Sequence, residues 1–558
     1  IFSSFHLRDI TYINGNLLHN IYSNLHPLYI MRHERKESKA WFPILFALVL
    51  ITGMYAGFRL RDTAQQGQGL LNTGKRSPVQ QILDLIRLKY VDSINTDTLA
   101  DVAIKDILSQ LDPHSVYIPP VEVPEVMEDL QGNFQGIGIE FHIYKDTVNV
   151  INVLENGPGY KAGLKTGDQF IKIDDSVIAG KKLAADQVKG MLKGAGNTSV
   201  TVTVKRENKL LKFTIKRGTI PLPSIDIAYM IDKQTGFIRI NKFAGNTYQE
   251  FMKNLEDLQA KGMQKLILDL RQNGGGVLSE AINIADEFLD EDKLIVFTKG
   301  NHVPTEKYQC KRPGLFEKGK LVVLIDESSA SASEVLTGAL QDWDRATIIG
   351  RRSFGKGLVQ EQYELSNEGA LRLTVARYYT PSGRSIQRPY DEGKDDYYDD
   401  ITKRIEHGDM LNADSNKITN GKAYKTHNGR TVYSGGGIMP DIFVPYDTSL
   451  TSRQVGDMFS LKGMNNFLYS YYLKNKKDFE GYKSATDFVE RFPVDHTWQA
   501  FLKSVNVDIV KSFPPEQLEA DKIYLKALLA RIAWRAEGFY QVINQSDNMV
   551  QKALEEIR

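Results

Sequence analysis

Two short segments hold side chains able to break a covalent bond. They are Glu327-Ser328-Ser329-Ala330-Ser331-Ala332-Ser333-Glu334 and Ser353-Phe354-Gly355-Lys356-Gly357. The first offers hydroxyl nucleophiles, and the second offers an amine flanked by glycines. An amine serves a hydroxyl as general base only when it is neutral. A free lysine has a pKa near about 10.4, so burial must lower it by roughly three units, about 4 kcal/mol, for work at neutral pH. Phe354 can supply an apolar wall, and Gly355 and Gly357 leave room for close backbone packing. A third segment, Leu268-Asp269-Leu270-Arg271-Gln272-Asn273-Gly274-Gly275-Gly276-Val277-Leu278, runs from an apolar strand through three glycines into a helix. It lacks the lysine and the spacing of the phosphate-binding glycine motifs. Such a loop can instead lend one backbone N–H to a developing oxyanion, with a second from the residue after the nucleophile.

The elements around these residues give them their exposure. The apolar run Leu321 to Ile325 reads as a strand, and Val335, Leu336, Ala339 and Leu340 recur at helical spacing. The serines therefore sit at a strand-to-helix junction, where unpaired N–H groups of the first helical turn face whatever the hydroxyl attacks. The same position is where serine ordinarily caps a helix. Ser328, Ser329 and Ser331 all qualify, with Glu334 closing a capping box on Ser331.

The chain of 558 residues has room for three or four domains. Its 70 Lys and Arg balance 69 Asp and Glu, which gives no bulk-charge case for nucleic acid. Cys310 is the only cysteine, which excludes an internal disulfide or a multi-cysteine metal cluster; it is read as incidental. Residues 1–30 hold no methionine before Met31, and are read as a non-native or misannotated leader. Residues 31–61 combine Arg32, Arg35, Lys36 and Lys39 with the apolar run Trp41 to Leu60. They are read as a signal-anchor helix across the inner membrane, with the remainder outside the cytoplasm.

Beyond a linker at 62–77, the spacing predicts a helical segment over 78–130, interrupted by the turn Asp112-Pro113-His114-Ser115. Short β-rich runs fill 131–217, an alternating α/β pattern fills 218–445, and helices extend over 446–558. Within the last region Leu525, Leu528, Leu529, Ile532 and Ala533 form an apolar face suited to packing or to dimerisation. Residues 389–434 are charged, and the cluster Asp395-Asp396-Tyr397-Tyr398-Asp399-Asp400 lacks metal-ligand spacing, so it reads as a solvated insertion.

The β-rich unit resembles a bacterial-type PDZ domain, on Gly159-Tyr160-Lys161-Ala162-Gly163-Leu164 followed by Gly167-Asp168-Gln169-Phe170-Ile171. A PDZ unit takes a peptide as an added strand, and Gln135, Gly136, Ile137, Gly138 and Ile139 are the candidate carboxylate loop. The glycines there equally suit a strand bulge.

Taken together, the segment Leu111 to Tyr117, the PDZ-like unit, the glycine loop, the serine cluster, Phe354 to Gln360, Tyr378 to Gln387 and Gly437 to Ile442 resemble the carboxyl-terminal processing peptidases, in family order. The resemblance implies a crotonase-like α/β core with an inserted PDZ domain and helical segments at both ends. It implies Ser331 as nucleophile, Lys356 as general base, Gln360 orienting the lysine, and Gly276 and Ala332 as oxyanion-hole donors. Substrates are then proteins with accessible C-terminal tails, cleaved in the cell envelope without metal or other cofactor. Homo-oligomers or adaptor partners would meet the helical segments. The alternative is a catalytically inactive PDZ adaptor.

Two similarities are set aside. Ser353 to Lys356 fits S-x-x-K, with Lys165-Thr166-Gly167 and Ser546-Asp547-Asn548 completing that set, but the chain order is wrong. His114 and His142, candidates for a Ser-His-Asp triad, precede or lie within the PDZ-like unit and are read as structural or peripheral.

Overall fold

The computed structural model describes residues 41–65, 77–290, 292–412, 421–447, 462–504 and 515–558. The leader assigned to 1–30 lies outside them. The chain divides into a first unit, Ile1–Ser93, and a second, Ile94–Arg558.

The first unit contains the helices Phe42–Gln65 and Pro78–Lys89. Among the described residues no helix is long and apolar enough to cross a membrane. The described helices therefore do not support the expected inner-membrane anchor, whose first ten residues, 31–40, lie outside the described residues. Its charge-free run, Phe42 to Phe58, rises about 25 Å at roughly 1.5 Å per residue, short of a hydrocarbon core of about 30 Å.

The second unit is built on a six-stranded sheet in the order Ile225–Met230, Thr235–Ile240, Lys265–Asp269, Lys320–Ile325, Thr347–Gly350 and Ile442–Phe443. All neighbours are parallel except the first pair. Leu266, Ile267, Leu268 and the run Leu321 to Ile325 are buried. Such unbroken apolar strands are what a parallel sheet covered on both faces requires. One face carries the helices Thr247–Ala260, Leu278–Asp286 and Ala332–Asp342, through Phe251, Leu255, Ile284 and Leu336. The opposite face is closed by the C-terminal helix Asn548–Ile557, whose Met549, Val550, Ala553 and Ile557 pack on Ile267, Val322, Leu324 and Ile349.

A second, antiparallel sheet centres on Ala370–Tyr379, paired with Val116–Ile118, Leu294–Lys299 and Leu358–Glu364. A third sheet, of six strands from Ile139–Tyr144 to Lys209–Lys216, encloses Val150, Phe170, Val200, Val202 and Val204. It is entered and left through a two-stranded ribbon, Asn133–Gly136 against Gly218–Pro221.

The apolar face read from Leu525 to Ala533 is consumed within the chain. Leu525, Leu529 and Ala530 are buried with Met464, Leu468, Phe488, Trp498 and Phe501 in a helical cluster. That cluster also meets the third sheet. Asn466 Oδ1 lies 3.1 Å from His142 Nε2, the Tyr469 ring contacts those of His142 and Tyr144, and Arg535 pairs with Glu140.

Candidate active site

Ser331 stands at the N-terminus of the Ala332–Asp342 helix, straight after the central strand. Its backbone is at φ 53, a left-handed conformation that costs a non-glycine residue about 1–3 kcal/mol and persists only where neighbours impose it. Three contacts do so: Ser331 N donates to Glu334 Oε2 at 2.9 Å, Val335 N donates to Ser331 O at 2.9 Å, and Ala330 N donates to Asn273 O at 3.0 Å. The capping role read for Glu334 on Ser331 is thus present.

The carboxylate does more than cap. Glu334, 1 % exposed, also accepts from Lys356 N at 2.8 Å, Gly355 N at 2.7 Å and Ser353 Oγ at 2.5 Å. One oxygen, Oε2, holds both the Ser331 and the Lys356 amides, at 2.9 and 2.8 Å, so those two nitrogens lie less than about 6 Å apart. Burial raises the Glu334 pKa against the hydrogen bonds that lower it.

The glycine loop closes the third side. Gly275, at φ 96, leaves no room for a Cβ, which would stand 2.7 Å from Ala330 O, 2.8 Å from Ser331 Cβ and 2.9 Å from Ala332 N. Gly276 is pinned in the same way on Phe243, whose oxygen would lie 2.0 Å from an added Cβ. Phe243 N donates to Gly275 O and Val277 N to Phe243 O, bonds that leave Gly276 N facing away from Phe243. Neither Gly276 N nor Ala332 N meets an acceptor among the described residues. Ser331, Lys356, Gly276 and Gln360 all line one cleft of about 1030 Å³, with Val126, Leu222, Leu278, Leu358, Arg372 and Tyr378.

Lys356 is held below its ordinary pKa, chiefly by burial and next by the charge of Arg372, while Glu334 and Asp112 oppose the shift. No carboxylate among the described residues forms an ion pair with its ammonium. Tyr378, its hydroxyl pushed up by burial, interacts with the Ser331 side chain.

The remaining serines have other employment. Ser329 Oγ donates to Leu270 O, Ser333 Oγ donates to Asn273 O, and Ser353 Oγ accepts from Ile438 N at 2.6 Å while donating to Glu334. The Cys310 thiol is pushed up to about 12 by burial and Asp286, which keeps it unreactive.

Three placements were not legible in the sequence. Gln360 Nε2 donates to His114 O at 2.5 Å, and no bond joins it to Lys356. His114 is not peripheral: the Asp112 carboxylate docks its turn on Thr374, and the Lys356 charge helps hold the imidazole down to about 4, after burial. The charged insertion is not a solvated excursion either. Its helix Lys394–Glu406 buries Tyr397 and Arg404, and Arg404 NH1 donates to Ser353 O at 2.9 Å, directly behind the lysine. Alternating acids and aromatics gave that helix one wet and one buried face, and only the wet one is legible in composition.

In the PDZ-like unit, Gln135 and Gly136 belong to the entry ribbon, and Gln135 Nε2 donates to Thr219 Oγ1. The N–H groups of Ile137 and Gly138 meet no acceptor among the described residues, and Ile139 opens the edge strand beside them.

Residues 234–394 match Peptidase family S41, and residues 135–216 match a PDZ domain. A carboxy-terminal-processing protease of Bartonella bacilliformis is 36% identical over 314 residues, covering 55% of this chain and 71% of that protein. The chain belongs to the carboxy-terminal-processing proteases of Peptidase family S41. A Staphylococcus aureus protein described as a "Probable CtpA-like serine protease" is 32% identical over 361 residues, covering 63% of this chain and 72% of its own length. A solved photosystem II D1 C-terminal processing protease superposes with a TM-score of 0.35 at 23% identity, over 65% of this chain and 86% of that one. This S41 chain is therefore a serine-type processing protease of mixed α/β fold carrying a PDZ domain.

Proposed function

We propose that this S41 protease cleaves by a serine–lysine mechanism after capturing a substrate's C-terminal tail. Neutral Lys356 takes the Ser331 proton as Oγ attacks the scissile carbonyl. The oxyanion is received by Gly276 N and Ala332 N at the positive end of the Ala332–Asp342 helix dipole. The Lys356 ammonium then protonates the leaving amine, and the freed amine activates the water that releases the acyl group. Gln360, fixed on the His114 carbonyl through Nε2, leaves Oε1 to accept from the ammonium once it forms. The free amides at Ile137 and Gly138 take the tail carboxylate, and the tail adds as a strand along the edge Ile139–Tyr144. The substrates lie outside the cytoplasm, a reading supported by the basic stretch and apolar run that export signals combine.

The observation that carries this reading is the single Glu334 oxygen shared by the Ser331 and Lys356 amides. No feature of the site favours an inactive adaptor. The test is turnover of an unstructured, apolar-tailed protein by wild type, Ser331→Ala and Lys356→Ala. Both variants are expected to lose activity, and full turnover by either overturns the mechanism. Amidating the substrate's terminal carboxylate is expected to weaken binding; unchanged affinity removes the PDZ step.

A further inference from the structure

The insertion helix Lys394–Glu406 contacts both the loop that carries Lys356 and the His114 turn that holds Gln360, without lining the cleft itself. Tyr397, 2 % exposed, packs edge-on against Phe354, two residues before the lysine. The Arg388 guanidinium lies against both rings, 4.0 Å from the centroid of Phe354 and 3.9 Å from that of Tyr397. Its NH2 donates to Tyr397 O at 2.8 Å, and its NH1 pairs with Asp400 of the same helix. The Arg388 backbone N donates to Gly355 O at 3.0 Å, so the stack is joined to the residue preceding Lys356. Arg404, from the next turn of the helix, shares Asp400 and donates to Ser353 O.

The same tyrosine reaches the other catalytic strand. Its hydroxyl lies 2.9 Å from His114 Nε2, and the His114 carbonyl is the acceptor that fixes the Gln360 amide. With its imidazole held neutral by burial, His114 can form that bond through Nε2 as donor or as acceptor, since the tyrosine hydroxyl serves either role. Tyr398 Oη donates to Pro113 O at 2.7 Å and fastens the same turn. Lys356 and Gln360 are thus gripped from behind by one helix, through Phe354 on one branch and His114 on the other.

We propose that the insertion is a positioning element of the catalytic apparatus, with Tyr397 as its central positioning residue and Arg388 as the plate that couples it to the lysine loop. Tyr397 acts through Phe354 and His114, and touches neither substrate nor the reacting atoms. The proposal rests on the serine–lysine reading above. It makes the arrangement of the base dependent on a helix that lies outside the cleft. A misplacement on the order of 1 Å at a catalytic group can lower turnover about 10²-fold while leaving ground-state binding untouched.

The experiment measures kcat and KM on the full chain, with active sites titrated by a serine-directed phosphonate so that unfolded molecules do not count. Tyr397→Phe keeps the ring stack and removes only the His114 bond; a fall in kcat of about 10-fold is expected. Tyr397→Leu and Arg388→Ala remove the stack, with an expected fall of about 10²-fold, while Arg388→Lys, which keeps charge without the planar plate, is expected to fall with them. In all four KM stays within twofold of wild type. Asp399→Ala, exposed on the same helix, keeps wild-type kcat. Wild-type kcat per titrated site in Tyr397→Phe and Tyr397→Leu, with Lys356→Ala inactive, overturns the positioning role and leaves the dyad standing. Activity in Lys356→Ala overturns both. Loss expressed in KM with kcat preserved also overturns the proposal, because it moves the residue's role to substrate binding.

Discussion

Replacing Glu334 by glutamine isolates the contact on which the active site turns. In the wild type each carboxylate oxygen takes two donors: Oε1 takes Ser353 Oγ and Gly355 N, and Oε2 takes Ser331 N and Lys356 N. A glutamine of the same length keeps one oxygen and turns the other into an NH2 facing two donors. Two buried donors are then unsatisfied, at about 1–3 kcal/mol each, for a destabilisation of about 2–6 kcal/mol. Whichever oxygen is lost, one of the two loops is released, and turnover is expected to fall by at least about 10²-fold. The charge adds a separate signature. Glu334 is among the groups holding the Lys356 pKa up, so its removal lowers that pKa further. The residual activity should therefore rise at lower pH than in the wild type. Urea unfolding and a pH–rate profile on the same preparation supply both numbers. Stability within about 0.5 kcal/mol of wild type, together with unchanged kcat, refutes the reasoning.

Two further outcomes follow from the same geometry. Gly275→Ala, at φ 96 and with a Cβ 2.8 Å from that of Ser331, is expected to displace Ser331 and reduce kcat by at least about 10²-fold, read by steady-state kinetics; kcat within threefold of wild type contradicts it. His114 titrates at about 4 when folded and near 6.5 when unfolded, so between those values the unfolded chain binds the proton and stability falls as pH falls, by about 3 kcal/mol in all. Unfolding followed from pH 7 to 4 should show that slope in wild type and its loss in His114→Gln, and identical slopes exclude the assignment.

What the sequence disclosed was local. The strand-to-helix junction, the glycine loop and the lysine between glycines each announce themselves within a dozen residues, because strand period, helix period and turn residues are short-range signals. Glu334 was visible only as the near half of a capping box. Its bonds to residues 353–356 cross from one element to another and leave no trace in spacing. His114 and Gln360 stand 246 positions apart, with the PDZ domain between them, and chain order made the histidine look remote. Tyr397 lay hidden in an acidic run whose composition described the wet face of its helix. The final helix, Asn548–Ile557, was legible only as part of a helical tail, with nothing in its spacing to say that it would roof the central sheet.

The ribbon through which the PDZ domain joins the core bears on how the chain reaches its native state. Asn133 to Gly136 and Gly218 to Pro221 are hydrogen-bonded neighbours, so a folded PDZ domain presents its two ends side by side. While that domain is unfolded, joining Val116–Ile118 to the strand at Ala370–Tyr379 means closing a loop that includes its whole length. Once it has folded, the intervening eighty-odd residues count as a turn of a few. By the logarithmic cost of loop closure, shortening that loop from about 250 to about 170 residues lowers the entropic barrier to assembling this sheet by about 0.3 kcal/mol. The folded PDZ domain thereby also shortens the path by which the core finds its own distant strands.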